Sequence, residues 1–508
     1  LPGAKVGGIG DVVRDIPTAL AQAGQQVDVV IPAYGALHQL PGAQFIGKLQ
    51  VPYCSELETV AVYKVALKNS HKNVTQWVLE HPLFSAGGVG KVYCDDPSHS
   101  PFATDARKFA LFSAAVAKAV VSNIFGQLDV LHLHDWHTAM LAVLRAYDPH
   151  YQALKSIHTV YTVHNLALQG IRPLEGDKSS LSHWFPELVY DGQAIGDPKY
   201  HNCFNPMRAG INLSDKVHVV SQNYAREILL PSIPEQGYCG GEGLEQDLCR
   251  AHDEGRLQGI LNGCEYPEQK TAALPNNALL KLCEDELLKW IAAEPTVASA
   301  HMIALTRLSR LVALKVLAEQ SVLVTSVGRI TDQKVSLLLL KNADGKTALE
   351  QLLEDMGSKG LFILLGSGDA QMELQLTKIA AVKDNLLFLK GYSETLSKNL
   401  YASGDLFVMP SSFEPCGISQ MLAMRAGQPC LAHGVGGLSD TIEHHKNGFI
   451  FTGDNQPNQV ANMLSAFDEC LRIRLEDKKR WQQIVDNAEQ SRFLWADAAT
   501  GYVDRLYT

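Results

Sequence analysis

Apolar and polar positions along this chain follow two periods, and the second half shows them more cleanly. Short apolar runs at 322–327, 361–365, 386–389, 406–409, 429–432 and 449–451 have the length and bounding residues of strands. Between them, apolar residues recur every three or four positions at 334–353, 371–382, 393–402 and 417–425, which predicts helices. Six strands alternating with helices describe a parallel sheet covered on both faces. The first half repeats this grammar less regularly. Strands are predicted at 27–31, 60–65, 75–79, 130–133, 160–163 and 217–220, and helices at 11–22, 104–122, 136–145 and 224–229. The strand at 130, the helix at 136 and the strand at 160 form one right-handed βαβ unit.

These elements predict an α/β chain of two doubly wound domains. A glycine-rich polar stretch at 237–259 marks the join, placing one domain at 1–258 and the other at 259–490. A Leu/Ala-rich helical stretch at 279–319 opens the second. A terminal helix at 491–508, with Phe493, Trp495, Tyr502 and Tyr507 at near-helical spacing, is expected to pack back on the body. The opening Leu1-Pro2-Gly3 runs almost directly into a glycine-rich turn, so a first strand of about five residues is expected to be missing. Two such sheets, facing across a deep cleft, bind ligands at their strands' carboxyl ends.

Composition narrows the classes. At 508 residues the chain exceeds what one core supports, so two domains fit. Acidic residues outnumber basic ones, 54 to 44, which argues against a nucleic-acid partner. Ten cysteines without a C-x-x-C pair read as reduced thiols of a cytoplasmic protein. No run of about 18 apolar residues occurs, so no membrane span is expected. The best candidate, 111–125, is Ala- and Ser-rich around Lys118 and reads as a packed helix.

The chemistry concentrates where strands end. Gly7-Gly8-Ile9-Gly10 precedes the helix at Asp11 and offers bare amides to an anion, with Lys5 adding charge; a simple tight turn is the competing reading. The run 85–92 imitates a phosphate loop but lacks its first glycine and its final hydroxyl. His132, His134, Asp135 and His137 are dense enough for a metal, yet the spacing favours Asp135 as a strand-end hydrogen-bond acceptor. His164 and Asn165 end the neighbouring strand, where a histidine can donate to a sugar hydroxyl or aim its carbonyl at a developing positive charge. Arg329 and Lys334 flank a strand-to-helix turn and suit a diphosphate leaving group. Glu414, before Pro415, Cys416 and Gly417, can grip neutral hydroxyls, and Gly436-Gly437 offers another helix-start anion site.

Taken in order, these segments resemble the bacterial glycogen synthase and plant starch synthase family, retaining glucosyltransferases of GT-B architecture. The segments are Lys5 to Val12, His134-Asp135-Trp136-His137, Val163 to Gly170, Leu261-Asn262-Gly263, Arg329 to Lys334, Phe413 to Gly417 and Gly436 to Thr441. The resemblance implies transfer of glucose from ADP-glucose to the 4-hydroxyl of an α-1,4-glucan, with no metal or other cofactor. It places Lys5, Gly7, Gly8 and Asp11 at donor and acceptor in an acceptor-side first domain, with Asp135 and His164 facing the glucosyl unit. Arg329 and Lys334 would hold the diphosphate. Glu414, Cys416 and Gly417 would hold the sugar hydroxyls, and Asn165, Asn262, Gly436, Gly437, Asp440 and Thr441 would complete the binding set. The chain departs from the pattern at Leu422, where a broader group carries a second glutamate. It departs again at Cys264-Glu265-Tyr266-Pro267 after Asn262-Gly263, and at Val435 in place of threonine. Three alternatives remain open: a GT-B enzyme using UDP-glucose or a small acceptor, a non-catalytic glucan- or nucleotide-binding relative, and a metallohydrolase built on the histidine cluster.

Overall fold

A strand buried on both faces needs apolar side chains at every position, and the second half supplies them. In the computed structural model, which describes residues 7–67, 70–266, 269–314, 321–342 and 344–508, alternate residues of each central strand enter opposite cores. Val322, Val324, Phe362 and Leu364 join one cluster, while Leu323, Leu361, Ile363 and Leu365 join another. The continuous apolar runs of the sequence thus record a sheet with helices on both sides.

The chain divides into two compact units, Leu1–Ser232 with Gly240–Gly263 and Leu494–Thr508, and Ile233–Cys239 with Cys264–Phe493. The first unit holds β1 (Val27–Pro32), β2 (Ala43–Tyr53), β3 (Glu56–Val65), β4 (Val74–Glu80), β5 (Val130–His134) and β6 (His158–Val163). Two-residue strands β7 (Arg172–Pro173) and β8 (Cys203–Phe204) pair with each other, and β9 (Lys216–Val219) and β10 (Leu257–Gly259) complete the unit. Its two four-stranded sheets run β1-β4-β3-β2 and β10-β9-β6-β5. The second unit holds β11 (Val322–Val327), β12 (Gly360–Gly366), β13 (Leu386–Lys390), β14 (Leu406–Met409), β15 (Cys430–His433) and β16 (Gly448–Phe451). They form one parallel sheet in the order β13-β12-β11-β14-β15-β16. That order reverses at β11 and β14, the switch point at whose carboxyl ends open α/β sheets bind ligands.

The structure corrects the sequence reading in four places. The first half is not uniformly parallel, because β2, β3 and β4 form an antiparallel meander. β2 escaped notice because its half-exposed alternation reads as polar, and its turn to β3 uses Cys54 and Ser55 at positive φ. The helix expected over 334–353 is two helices, Asp332–Leu339 and Ala348–Met356. The break follows from Thr347 and Glu350, which form a capping box that starts the second helix. The stretch expected to be helical over 279–319 is likewise two helices, Asn276–Ala293 and Ser299–Leu314, separated by Pro295. The first helix runs over Gly7–Gln22 among the described residues, so Gly8-Ile9-Gly10 lie within it and not in a turn before it.

The terminal helix, Trp495–Arg505, packs in the first unit against the helix Gly7–Gln22 through Val12, Ile16, Trp495, Ala499 and Tyr502. The Ala-rich helix Ala103–Val121 is buried along most of its length. Among the described residues, no helix is long and apolar enough to cross a membrane.

Candidate active site

In the first unit, β5 and β6 lie side by side with His134 opposite Thr162. Both strands end at the candidate residues. Asp135 adopts a left-handed φ of 52° and starts the helix Asp135–Tyr147, a conformation disfavoured for a non-glycine residue. Its carboxylate accepts the His164 N–H at 2.7 Å, and the Asn165 amide also stabilises the anion. Desolvation outweighs both bonds, raising the carboxyl to about 7. His164 lies one residue past β6, its Nε2 3.0 Å from His134 Nδ1. The side chain of Asn165 is turned back to accept the Ala167 N–H. Asn262, past β10, is buried, and its Oδ1 has no partner among the described residues.

Beneath this pair lies a second set of buried polar groups whose proton directions follow from a single carbonyl. His218 Nε2 is 3.1 Å from Ile260 O and must donate to it, which leaves Nδ1 bare in the neutral ring. Thr162 then donates its hydroxyl proton to His218 Nδ1 at 2.9 Å and accepts from His132 Nε2 at 2.6 Å. His132 Nδ1 accepts in turn from the Tyr507 hydroxyl at 2.9 Å. Desolvation first, then the neighbouring histidines, hold His132 well below its ordinary pKa, and desolvation lowers His218 to about 3. Of the histidines that the sequence offered to a metal, His132 engages both ring nitrogens, with Thr162 and Tyr507, while His134 engages Nδ1 with His164 and His137 engages Nε2 with Tyr93 at 2.8 Å. Among the described residues, the group of three potential metal ligands is elsewhere: His444, His445 and Glu469. There, His444 Nδ1 already accepts the Ile450 N–H.

In the second unit, the turns after β11 and β14 are clipped together. Ser412 N–H donates to Gln333 O at 2.8 Å, and Gln333 Nε2 donates to Phe413 O at 2.9 Å. This places the Lys334 ammonium on the Glu414 carboxylate, which also accepts from Ser411 Oγ at 3.1 Å. The carboxylate is buried, and Lys334 is half-buried. Arg329 is exposed and has no hydrogen bond or ion pair among the described residues. Arg329, Lys334 and Ser411 line one small cavity of about 20 Å3, room for about one water. The site thus carries two cations and one anion at adjoining strand ends.

The glycines here serve close packing. A Cβ on Gly436 would stand 1.9 Å from Glu414 O, and one on Gly437 would stand 2.2 Å from Cys416 O. The Gly437 amide already donates to Glu414 O, so it fixes the loop that carries Glu414. Thr441 is buried and donates to Gly437 O, and Gln420 ties Cys416 and Gly417 to it from below. Cys416 is buried with Sγ 3.5 Å from Gly417 O, and Asp440 is half-buried in the same short helix, Gly436–Thr441. In the first unit, a Cβ on Gly7 or Gly8 would meet nothing within 4 Å among the described residues, and Asp11 pairs with Arg14 at 3.2 Å. Lys5 lies outside the described residues.

Two residues that the sequence did not single out, Gln333 and Ser411, clip and brace the Glu414 loop, and a third, His134, read in the sequence only as a metal candidate, pairs with His164. Strand parity carried a signal for the last. His134 ends one parallel strand, and His164 follows its neighbour on the same face.

The model of the starch synthase catalytic domain matches residues 1–250, and that of the group 1 glycosyl transferases matches residues 314–489. A glycogen synthase of Streptococcus sanguinis is 31% identical over 517 residues, covering 99% of this chain and 96% of that protein. One from Gloeobacter violaceus is 31% identical over 516 residues, covering 99% and 95%. In structure, the chain is similar to the catalytic domain of starch synthase IV from Arabidopsis thaliana bound to ADP and acarbose. The TM-score is 0.72 at 24% identity, covering 100% of this chain and 96% of that one, a likeness of fold.

Proposed function

This chain belongs to the bacterial glycogen synthase and starch synthase family and is a glucosyltransferase that extends glucan chains; from that premise we propose that it takes glucose from ADP-glucose. The acceptor is the non-reducing 4-hydroxyl of an α-1,4-glucan, the α configuration is retained, and no metal takes part. The observation that carries this reading is the cluster of Arg329, Lys334 and Glu414 at the ends of β11 and β14.

Arg329 and Lys334 take the diphosphate. An ammonium has three donors, so Lys334 can keep Glu414 while it meets a phosphate oxygen. Arg329 offers two parallel N–H donors to the same group. As the bond between the glucosyl C1 and the phosphate oxygen breaks, both cations stabilise the negative charge that develops there. The departing oxygen removes the proton of the acceptor 4-hydroxyl on the same face, and the new C1–O bond forms there. Glu414, Cys416 and Gly417 orient the sugar hydroxyls. His164 and the Asp135 carboxylate face the oxocarbenium-like centre, and Asn165 and Asn262 belong to the same binding set. No paired carboxylates of the retaining-glycosidase kind are required.

The test is glucose incorporation into an α-1,4-glucan from ADP-glucose and from UDP-glucose in parallel, with and without EDTA. The expected result is extension by α-1,4 linkages from ADP-glucose at a rate EDTA leaves unchanged. Extension from UDP-glucose alone, or incorporation abolished by EDTA, contradicts the corresponding part of the reading. Inertness toward every nucleotide sugar favours a non-catalytic relative.

A further inference from the structure

A histidine that meets a sugar must present one ring nitrogen in a defined protonation state, and something must choose it. The contact between His134 Nδ1 and His164 Nε2 at 3.0 Å makes that choice available in this chain. We infer that His134 is a positioning residue for glucosyl transfer: its Nδ1 consumes His164 Nε2, so that only His164 Nδ1 is left for the sugar, in a tautomer His134 dictates. This rests on the reading above that His164 faces the glucosyl unit.

A hydrogen bond between two imidazole nitrogens needs one proton between them. Desolvation lowers His134 to about 4 and holds His164 well below its ordinary value, so each ring carries one proton at neutral pH. Two complementary arrangements follow. If His134 Nδ1–H donates, His164 carries its own proton on Nδ1 and meets a sugar oxygen as a donor. If His164 Nε2–H donates, its Nδ1 is bare and accepts from a sugar hydroxyl. Either way the imidazole is anchored through Nε2, and its backbone N–H is held by Asp135 at 2.7 Å.

His134 is itself braced. Its ring stacks on His132 at 4.7 Å with a 7° interplanar angle. The backbone N–H of His134 donates to Thr138 Oγ1 at 2.6 Å. His132 is fixed in the Nε2–H tautomer by Thr162 and Tyr507, so the stack rests on a ring that neither rotates nor titrates freely. A flat side chain without a nitrogen could preserve the stacking. It could not preserve the 3.0 Å contact.

The experiment compares His134→Asn, His134→Gln and His134→Leu in kcat, KM for the donor and melting temperature. The amide of asparagine branches at the same distance from the backbone as imidazole Nδ1, whereas that of glutamine lies one bond farther out. His134→Leu is expected to lower kcat by about 10- to 100-fold, the scale of a misplaced contact group, with KM changed less than about twofold. His134→Asn should recover kcat to within about fivefold of the parent, and His134→Gln should not. Full kcat in His134→Leu, or equal losses in all three variants that follow their melting temperatures, overturns the inference. His164→Ala separates this from the underlying reading. If His164→Ala keeps its kcat, the placement of His164 at the sugar fails. If it loses kcat while His134→Leu does not, only the positioning role fails.

Discussion

Replacing Arg329 with glutamine is expected to slow glucosyl transfer by about 10²- to 10³-fold, the usual effect of removing one group that stabilises developing charge. The melting temperature should stay unchanged, since Arg329 is exposed and holds no partner among the described residues. Lys334→Gln should slow transfer comparably but also destabilise the second unit. It withdraws the cation from the buried Glu414 carboxylate and leaves it the Ser411 hydroxyl, a neutral donor that cannot balance the charge. Steady-state kinetics and thermal unfolding of the two variants check the contrast. Equal melting temperatures would mean that the Lys334–Glu414 pair does not fasten the two turns together. Full activity in Arg329→Gln would remove that residue from the diphosphate.

The second large effect concerns Asp135 and pH. Its carboxyl is raised from 3.8 in the open chain to about 7 in the folded state by desolvation. Below pH 4 the group is protonated in both states and contributes nothing. Between pH 4 and 7 the unfolded chain releases a proton that the folded chain keeps, so stability falls as pH rises. Above pH 7 the full penalty of a buried carboxylate is present, up to about 4 kcal/mol for this displacement. Asparagine removes the charge, tolerates the left-handed φ and can still accept the His164 N–H. Asp135→Asn is therefore expected to stabilise the protein at pH 8 by about 2–4 kcal/mol, by less than half of that at pH 5, and to slow transfer. Urea denaturation at the two pH values measures this, and a gain independent of pH would contradict it.

The second sheet was legible because both its faces are buried and its strands announce themselves as unbroken apolar runs. All six of its strands lie within one residue of their predicted bounds at each end. β2 was not legible, since an edge strand with a half-exposed face carries Gln44, Gly47, Lys48 and Gln50 among its apolar residues. The candidate residues were found one at a time from strand ends, but their pairing was hidden. Lys334 and Glu414 stand 80 positions apart, and only the neighbouring of β11 and β14 brings them together. The roles of the histidines were hidden for a related reason. Their density left a metal site open, while their hydrogen-bond partners, Thr162, His164, Tyr507 and Tyr93, lie on other parts of the chain. Gly436 and Gly437 read as an anion site in sequence. The sequence did not show that they also meet a steric requirement, set by the carbonyls of Glu414 and Cys416.

The central claim is that Arg329 and Lys334 hold the β-phosphate end of the leaving group, and the most direct measurement is the ratio of ADP to AMP affinity by calorimetry. In the parent chain, ADP should bind at least about tenfold more tightly than AMP, as expected for one extra charge-assisted contact group. In Arg329→Gln combined with Lys334→Gln, that ratio should collapse toward one with AMP affinity nearly unchanged. A preference for ADP that survives the double substitution would contradict the account.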